Sequence, residues 1–287
     1  MYDSIIVGKG PAGITAAIYL KRAGYNCVVI GKDGGNLIKN SKIQNYYGIE
    51  EITGEELLLK GIKQAENLGI EVVTDEVIEL EYNNNFSVKT INNVYEGKTI
   101  ILATGNKRKT PNIEGINNFN GKGISYCAVC DGFFYKNKDV VVIGNGEYAI
   151  NEVNHLLPIA KTVTLLTDGK KLDNTKVNVV VDSREIKQFR GDSKLQEIEF
   201  KDNSNIKIDG AFLAIGTATS TDLAQRLGVL IKENRIIVDE NMQTNVKGLF
   251  AAGDCTGGLL QISKAVYEGS KAGLSAVEYL KSFKGGI

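Results

Sequence analysis

The chain is 287 residues long, which at roughly 150 residues per domain points to two domains. Its 34 Lys and Arg balance its 34 Asp and Glu, so it lacks the basic footprint of a protein that grips nucleic acid or an anionic membrane. With 43% hydrophobic and 24% charged residues it is neither disordered nor fibrous, while 32 glycines against 3 prolines announce tight turns or close approaches of backbone to ligand. Apolar runs such as residues 100–103 and 140–143 fall far short of the about 18 residues of a membrane span. Met1 to Gly8 enter a strand pattern with no basic leader, so a cytoplasmic protein is expected.

In chain order, residues 3–7 read as a short buried strand, residues 12–23 have helical apolar spacing closed by Gly24, and residues 26–30 read as a second strand. Between the first strand and the helix lies Gly8-Lys9-Gly10-Pro11-Ala12-Gly13, a G-x-G-x-x-G in the context that makes it a dinucleotide cradle. Its glycines admit a pyrophosphate to the backbone, and the helix start offers free N–H groups and a positive dipole end. The acid expected after the second strand, to bind a ribose hydroxyl, has one candidate, Asp33, following Gly31 and Lys32. Thr53 and Glu56 form a capping-box pattern that opens a helix through Leu57, Leu58, Ile62 and Ala65. Strand patterns follow at 71–74, 77–81, 86–91 and 99–103, with turns at Asn83-Asn84-Asn85 and Asn92-Asn93, and Ala103-Thr104-Gly105 closes the last of them.

The four cysteines are Cys27, Cys127, Cys130 and Cys255, and a reducing compartment argues against a structural framework. Cys127-Ala128-Val129-Cys130 is a C-x-x-C pair that can close a readily exchanged disulfide. Zinc is the alternative, but four ligands are needed and Cys27, Cys255 and the single His155 are each isolated. Asp131 is either a turn residue or the proton donor for a leaving thiolate. Cys27, inside a strand, reads as a small core residue.

The strand–glycine–helix pattern restarts with a strand at 139–143, Gly144-Asn145-Gly146-Glu147-Tyr148-Ala149, a helix at 148–157 and a strand at 162–167. This second loop either takes a nicotinamide nucleotide or is a fold retained without one. The next strand ends Thr167-Asp168-Gly169-Lys170-Lys171, and no arginine lies between Arg108 and Arg184 to meet a 2′-phosphate, so Asp168 suits NAD at best. Residues 248–252 read as a strand ending in Gly253-Asp254. Ile262, Ala265, Val266, Gly269, Ala272, Gly273, Ala276, Val277 and Leu280 then mark a helix with a small-residue face.

Taken in this order, the two glycine loops, Ala103-Thr104-Gly105, the Cys127 to Asp131 segment and Gly253-Asp254 resemble the low-molecular-weight flavin thioredoxin reductases. The resemblance implies an α/β fold of two Rossmann-like, three-layer ββα nucleotide-binding domains, the second inserted in the first. It implies an FAD domain over residues 1–112 and 236–287 and a pyridine-nucleotide-type domain over 113–235 that carries the redox pair. By the same resemblance Gly8, Gly10, Pro11, Ala12, Gly13, Lys32, Asp33, Gly35, Asn36, Leu37, Asn45, Ala103, Thr104, Gly105, Gly253, Asp254, Gln261 and Ile262 line FAD. Cys130 faces the flavin, Cys127 attacks the disulfide of thioredoxin or a thioredoxin-like protein, and Asp131 is the acid. A homodimer and a rotation of the inserted domain are also implied.

Three features depart from the NADPH-dependent members. The family's His-Arg-Arg cluster and its following Arg are replaced by the stretch 167–171, the chain is shortened around residues 171–177, and Leu260 stands where an arginine commonly precedes the residue matching Gln261. In these respects the chain resembles the ferredoxin-dependent flavin thioredoxin reductases of clostridia, which implies reduced ferredoxin as donor. An NADH- or NADPH-driven disulfide reductase is the alternative, and a flavin-loaded redox sensor is the non-enzymatic one.

Overall fold

The computed structural model describes residues 1–105, 111–173 and 177–284. In chain order come β1 (Tyr2–Val7), α1 (Pro11–Arg22), β2 (Cys27–Ile30), α2 (Gly54–Asn67), β3 (Glu71–Val73), β4 (Val77–Asn83), β5 (Asn85–Thr90) and β6 (Val94–Leu102). Next are β7 (Ile124–Ser125), α3 (Ala128–Asp131), β8 (Asp139–Ile143), α4 (Glu147–Leu156), β9 (Thr162–Leu166), β10 (Val180–Asp182), β11 (Ile186–Arg190), β12 (Glu197–Phe200), β13 (Asn205–Lys207) and β14 (Gly210–Leu213). Last come α5 (Ser220–Gln225), β15 (Ile231–Lys232), β16 (Arg235–Ile236), β17 (Leu249–Ala251) and α6 (Ile262–Lys284). Among the described residues no helix is long and apolar enough to cross a membrane.

The chain divides into two units, Met1–Lys107 with Thr219–Ile287, and Arg108–Ala218. The second crossing lies at Thr219, earlier than the boundary at 236 read from the sequence. The reason is local: Thr219 and Asp222 form a capping box on α5, Ser220 bonds Thr104, and Arg226 pairs with Glu79 of β4 at 3.3 Å. These contacts fasten the stretch to the first unit.

In that unit the parallel order is β3-β2-β1-β6-β17. β1 ends in four buried residues and β2 is buried throughout, as strands covered on both faces must be. β6 begins earlier than the residues 99–103 that read as a strand, because its halves do different work. Residues 94–97 pair antiparallel with β5, which continues to β4, while residues 100–102 pair parallel with β17. The first half is partly solvent-exposed and lacks the apolar run that announces the second. α6 lays its small-residue face on α1. A methyl at Gly269 would stand 2.2 Å from the Ala12 carbonyl oxygen, and one at Gly273 2.7 Å from that of Ala16.

The second unit is built on a parallel sheet of order β10-β9-β8-β14-β7, with β11-β12-β13 as a separate antiparallel sheet. Its core gathers Val141, Ile143, Leu166, Phe189, Ile198, Phe200 and Leu213. Both units are thus α/β and Rossmann-like, each with a glycine loop between a parallel strand and the helix that follows it, β1 and α1 in the first unit and β8 and α4 in the second.

Candidate active site

The cradle of the first unit forms at the carboxyl ends of β1, β6 and β17. Gly8 leaves β1 with φ +117° and lies so close to Ala103 that a methyl would come within 2.3 Å of its carbonyl oxygen. At Gly13 a methyl would fall 1.9 Å from the Gly8 carbonyl oxygen, so these two glycines let helix, strand and loop meet. Gly10 differs: nothing lies within 4 Å of its missing methyl. It is also the N-cap of α1, no side chain caps that helix, and Pro11 fills the first helical position where its absent N–H costs nothing. Free N–H groups beside open space suit the pyrophosphate of a dinucleotide, so the residues present fit FAD.

Gly253 and Asp254 reach the same place, Gly253 packing on Ala12. Glu268 of α6 accepts from the Gly253 N–H at 2.8 Å, and Lys264 donates to the Gly253 carbonyl oxygen and to Thr256 Oγ1, both at 2.9 Å. Burial raises the Asp254 carboxyl above its ordinary range, with Lys264 opposing and Glu268 adding to the effect. Cys255 beside it is buried, and burial pushes its thiol up to about 12, as it does for Cys27 in β2. Both are core thiols rather than nucleophiles.

Other expected cofactor residues fall into small networks. Asn45 donates to Gln261 Oε1 at 3.0 Å, at the start of α6 just before Ile262. Lys32 pairs with Glu76 at 2.6 Å. Asp33 Oδ1 accepts from the Gly35 N–H at 2.7 Å, which ties the ribose candidate into a turn leading to Asn36 and the buried Leu37. Thr104 and Ser220 bond through their hydroxyls at 2.6 Å. Lys9 lies over Gly31 with its ammonium 2.9 Å from Thr74 Oγ1, and its burial lowers it from the ordinary lysine range. Ser220, Lys264 and Glu268 were not singled out from the sequence. Only the Lys-x-x-x-Glu spacing of the last two, one helical turn apart, signals their pairing.

In the second unit Cys127 and Cys130 form a disulfide, and no group of side chains suited to a metal ion occurs among the described residues. Cys127 is 3% exposed and Cys130 lies on the surface. Cys127 is the N-cap of α3 and its sulfur accepts from the Cys130 N–H at 3.1 Å, a contact that steadies a thiolate on Cys127. A thiolate arriving from solvent therefore meets Cys130, and Cys127 becomes the leaving group. Ser125 on β7 donates to Asp131 Oδ2 at 2.6 Å and accepts from the Cys127 N–H at 3.1 Å. Behind the turn, the Glu152 carboxylate of α4, almost fully buried, accepts from the Ala128 N–H at 2.6 Å. Val129, between the two cysteines, and Phe133 and Phe134, just after them in the chain, are exposed apolar side chains. Ser125 and Glu152 carry no sequence signal of their own, since each acts through contacts made by folding.

The second glycine loop is unlike the first. Asp173 donates its N–H to the Asn145 carbonyl oxygen at 2.9 Å, and Asn145 Nδ2 donates to the Lys171 carbonyl oxygen at 3.1 Å. Asp173 Oδ2 stands 3.3 Å from where a methyl on Gly146 would be. At the end of β9, Asp168 Oδ1 accepts from the Ile186 N–H at 2.8 Å.

A family model for pyridine nucleotide-disulphide oxidoreductases matches residues 2–269. A thioredoxin reductase from Ureaplasma parvum is 36% identical over 300 aligned positions, covering 98% of this chain and 97% of that protein. The crystal structure of the atypical thioredoxin reductase TRi from Desulfovibrio vulgaris Hildenborough is similar with TM-score 0.93 and 38% identity, over 98% of this chain and 99% of that one. A ferredoxin-flavin thioredoxin reductase from Clostridium acetobutylicum follows with TM-score 0.72 and 33% identity over 98% of each chain. With an open cradle in one unit, a C-x-x-C disulfide in the other and these likenesses along nearly its whole length, the chain belongs to the pyridine nucleotide-disulphide oxidoreductase family as an FAD-carrying thioredoxin reductase.

Proposed function

We propose that this thioredoxin reductase takes its electrons from a reduced iron–sulfur carrier of the ferredoxin type rather than from NADH or NADPH. The observation that carries the reading is the Asp173 carboxylate beside Gly146, in the space a nucleotide pyrophosphate would enter. An anion there repels another anion, and the Lys171 and Asn145 contacts hold the segment in place. The missing arginines and the likeness to a protein named ferredoxin-flavin thioredoxin reductase point the same way. An NADH-driven reading has one favourable feature, Asp168 at the end of β9, but one of its oxygens is engaged by the Ile186 N–H.

In this reading the residues of 8–13 and 103–105, with Lys32, Asp33, Gly35, Asn36, Leu37, Asn45, Gly253, Asp254, Gln261 and Ile262, hold FAD. Bound FAD supplies the exchange between one-electron donors and the two-electron disulfide. Cys127, 3% exposed while the disulfide is closed, must be uncovered once the pair is reduced; in this reading it then attacks the thioredoxin disulfide as a thiolate steadied by the Cys130 N–H, and Cys130 resolves the mixed disulfide. Asp131 holds the proton exchanged with sulfur. Val129, Phe133 and Phe134 give thioredoxin an apolar landing surface. The working form in this reading is a homodimer.

The test is anaerobic. NADPH, NADH and chemically reduced ferredoxin are added separately to the yellow protein and bleaching of the flavin absorbance is followed. Rapid bleaching by ferredoxin alone supports the reading, and rapid bleaching by either nucleotide overturns it.

A further inference from the structure

We propose that Ser125 is the positioning residue of the acid: its hydroxyl fixes which oxygen of Asp131 holds the transferable proton and ties that carboxyl to the backbone of Cys127. This rests on the reading of Asp131 as the acid. Ser125 is buried, and its place is set by the sheet, since β7 pairs with β14 through Ile124 with Ala211 and Ser125 with Phe212. A serine hydroxyl has one proton to give. The 2.6 Å separation to Asp131 Oδ2 is that of a hydroxyl donating to a carboxylate, against 3.4 Å to the Cys127 carbonyl oxygen. The Cys127 N–H donates to Ser125 Oγ at 3.1 Å, so the bonds run in one direction, from Cys127 N–H through Ser125 Oγ to Asp131 Oδ2, each polarising the next.

With Oδ2 engaged, Oδ1 is left to hold the proton. When an external thiolate attacks Cys130 Sγ, a new S–S bond forms and the Cys127–Cys130 bond breaks, its electron pair leaving on the Cys127 sulfur. Asp131 gives its proton to that thiolate and becomes a carboxylate, whose charge the Ser125 O–H stabilises. The other charged or titratable neighbours are Glu152 of α4 at the Ala128 N–H, Tyr135 on the next turn, and Asp209 before β14. Burial first and Asp131 second raise the Tyr135 hydroxyl, and Lys138 lies over its ring. None of these bonds the Oδ2 that Ser125 holds in the described contacts.

The test uses the flavin-loaded enzyme and reduction of its disulfide by dithiothreitol, read by alkylation and mass spectrometry across pH and expressed per dithiothreitol thiolate. Wild type is expected to lose rate as pH rises through one break, and Asp131→Asn to lack that break. In Ser125→Ala the carboxylate loses a hydrogen bond, so the break is expected to move to higher pH by about one unit, while the orphaned Cys127 N–H lowers the melting temperature without moving the break. Ser125→Thr, which keeps the hydroxyl, is expected to restore it, and Ser125→Gly provides a second deletion. A break at the wild-type pH in both deletions overturns the role of Ser125. A break retained in Asp131→Asn overturns the acid reading beneath it, while the ferredoxin reading stands or falls separately on flavin bleaching.

Discussion

Two glycines of the first loop, three residues apart, separate packing from binding. At Gly13 an added methyl would lie 1.9 Å from the Gly8 carbonyl oxygen and 3.1 Å from Ile6 Cγ2, so Gly13→Ala must drive α1 and its loop apart by about 1 Å in a close-packed region. Overpacking of this kind costs up to about 3 kcal/mol, which for 150–250 residues is roughly 6–12 °C of melting temperature. Gly10→Ala meets nothing within 4 Å, and φ −75°, ψ −177° suits any residue. Its loss of N-cap preference, about 0.5 kcal/mol, is offset by a similar gain from the stiffer unfolded chain. The apo-protein should therefore melt as wild type does. The same methyl, however, fills the space through which a pyrophosphate reaches the N–H groups of α1. Losing one charge-assisted bond there costs about 2–3 kcal/mol, or roughly 30- to 150-fold in Kd. Calorimetry of flavin-stripped protein and FAD titration by fluorescence quenching measure the two effects. If Gly10→Ala binds FAD as tightly as wild type, the open space at Gly10 is not the cradle.

Cys127→Ser should abolish thioredoxin reduction while leaving FAD affinity unchanged, checked by a thioredoxin-coupled assay beside a flavin titration, because the redox pair and the cradle lie in different units. Arg226→Met should destabilise the first unit by about 1–3 kcal/mol in denaturant titration, since Glu79 loses its buried partner but keeps its pair with the half-exposed Lys89 at 3.3 Å, and adding Glu79→Gln should recover much of the loss. Asp254→Asn should raise the melting temperature of the apo-protein at neutral pH and weaken FAD binding. Burial raises this carboxyl in the folded state, so its stabilising share is complete below about pH 4 and is lost as pH rises through the folded value, and the advantage of the variant should vanish in acid. An advantage independent of pH would refute that sign.

What the sequence made legible was whatever is encoded by neighbours. The strand, glycine turn and helix of residues 1–30 are continuous patterns, and the Thr53 capping box forms as its four-residue spacing demands. The small-residue stripe of residues 262–280 does pack against a partner helix, because only closely approaching backbones reward glycine at those positions. Residues 178–218 left little to read. β11 to β13 are three to five residues long, their charged residues pair across strands, as Lys187, Arg190 and Glu199 do, and a bulge between Ile186 and Gln188 breaks the alternation. The redox turn was visible as C-x-x-C-D, but the side chains that hold it come from β7 and α4. No local spacing links Ser125 or Glu152 to that chemistry.

If the enzyme takes its electrons from ferredoxin as proposed, the second glycine loop is a motif that has outlasted its ligand, and its packing explains how. A methyl at Gly144 would stand 2.2 Å from the Ala214 carbonyl oxygen and 2.8 Å from Ala149 Cβ, so this glycine is required by the packing of β8, α4 and the end of β14, whatever is bound. The same elements carry the disulfide. α4 supplies Glu152 to the Ala128 N–H, its Leu156 lies 3.2 Å from a methyl placed on Gly132, and Gly210 at the start of β14 makes room for the Tyr135 ring. Selection for a correctly held redox turn therefore preserves the strand, the glycine and the helix of a nucleotide fold without selection for a nucleotide. On that reading only positions that touch the ligand and not the scaffold are released, and the end of β9 and the room beside Gly146 are such positions. The end of β9 carries Asp168-Gly169 in place of cations, and Asp173 occupies the room beside Gly146, the one glycine of the loop whose missing methyl would press on no backbone atom closer than the Gly216 carbonyl oxygen at 3.8 Å.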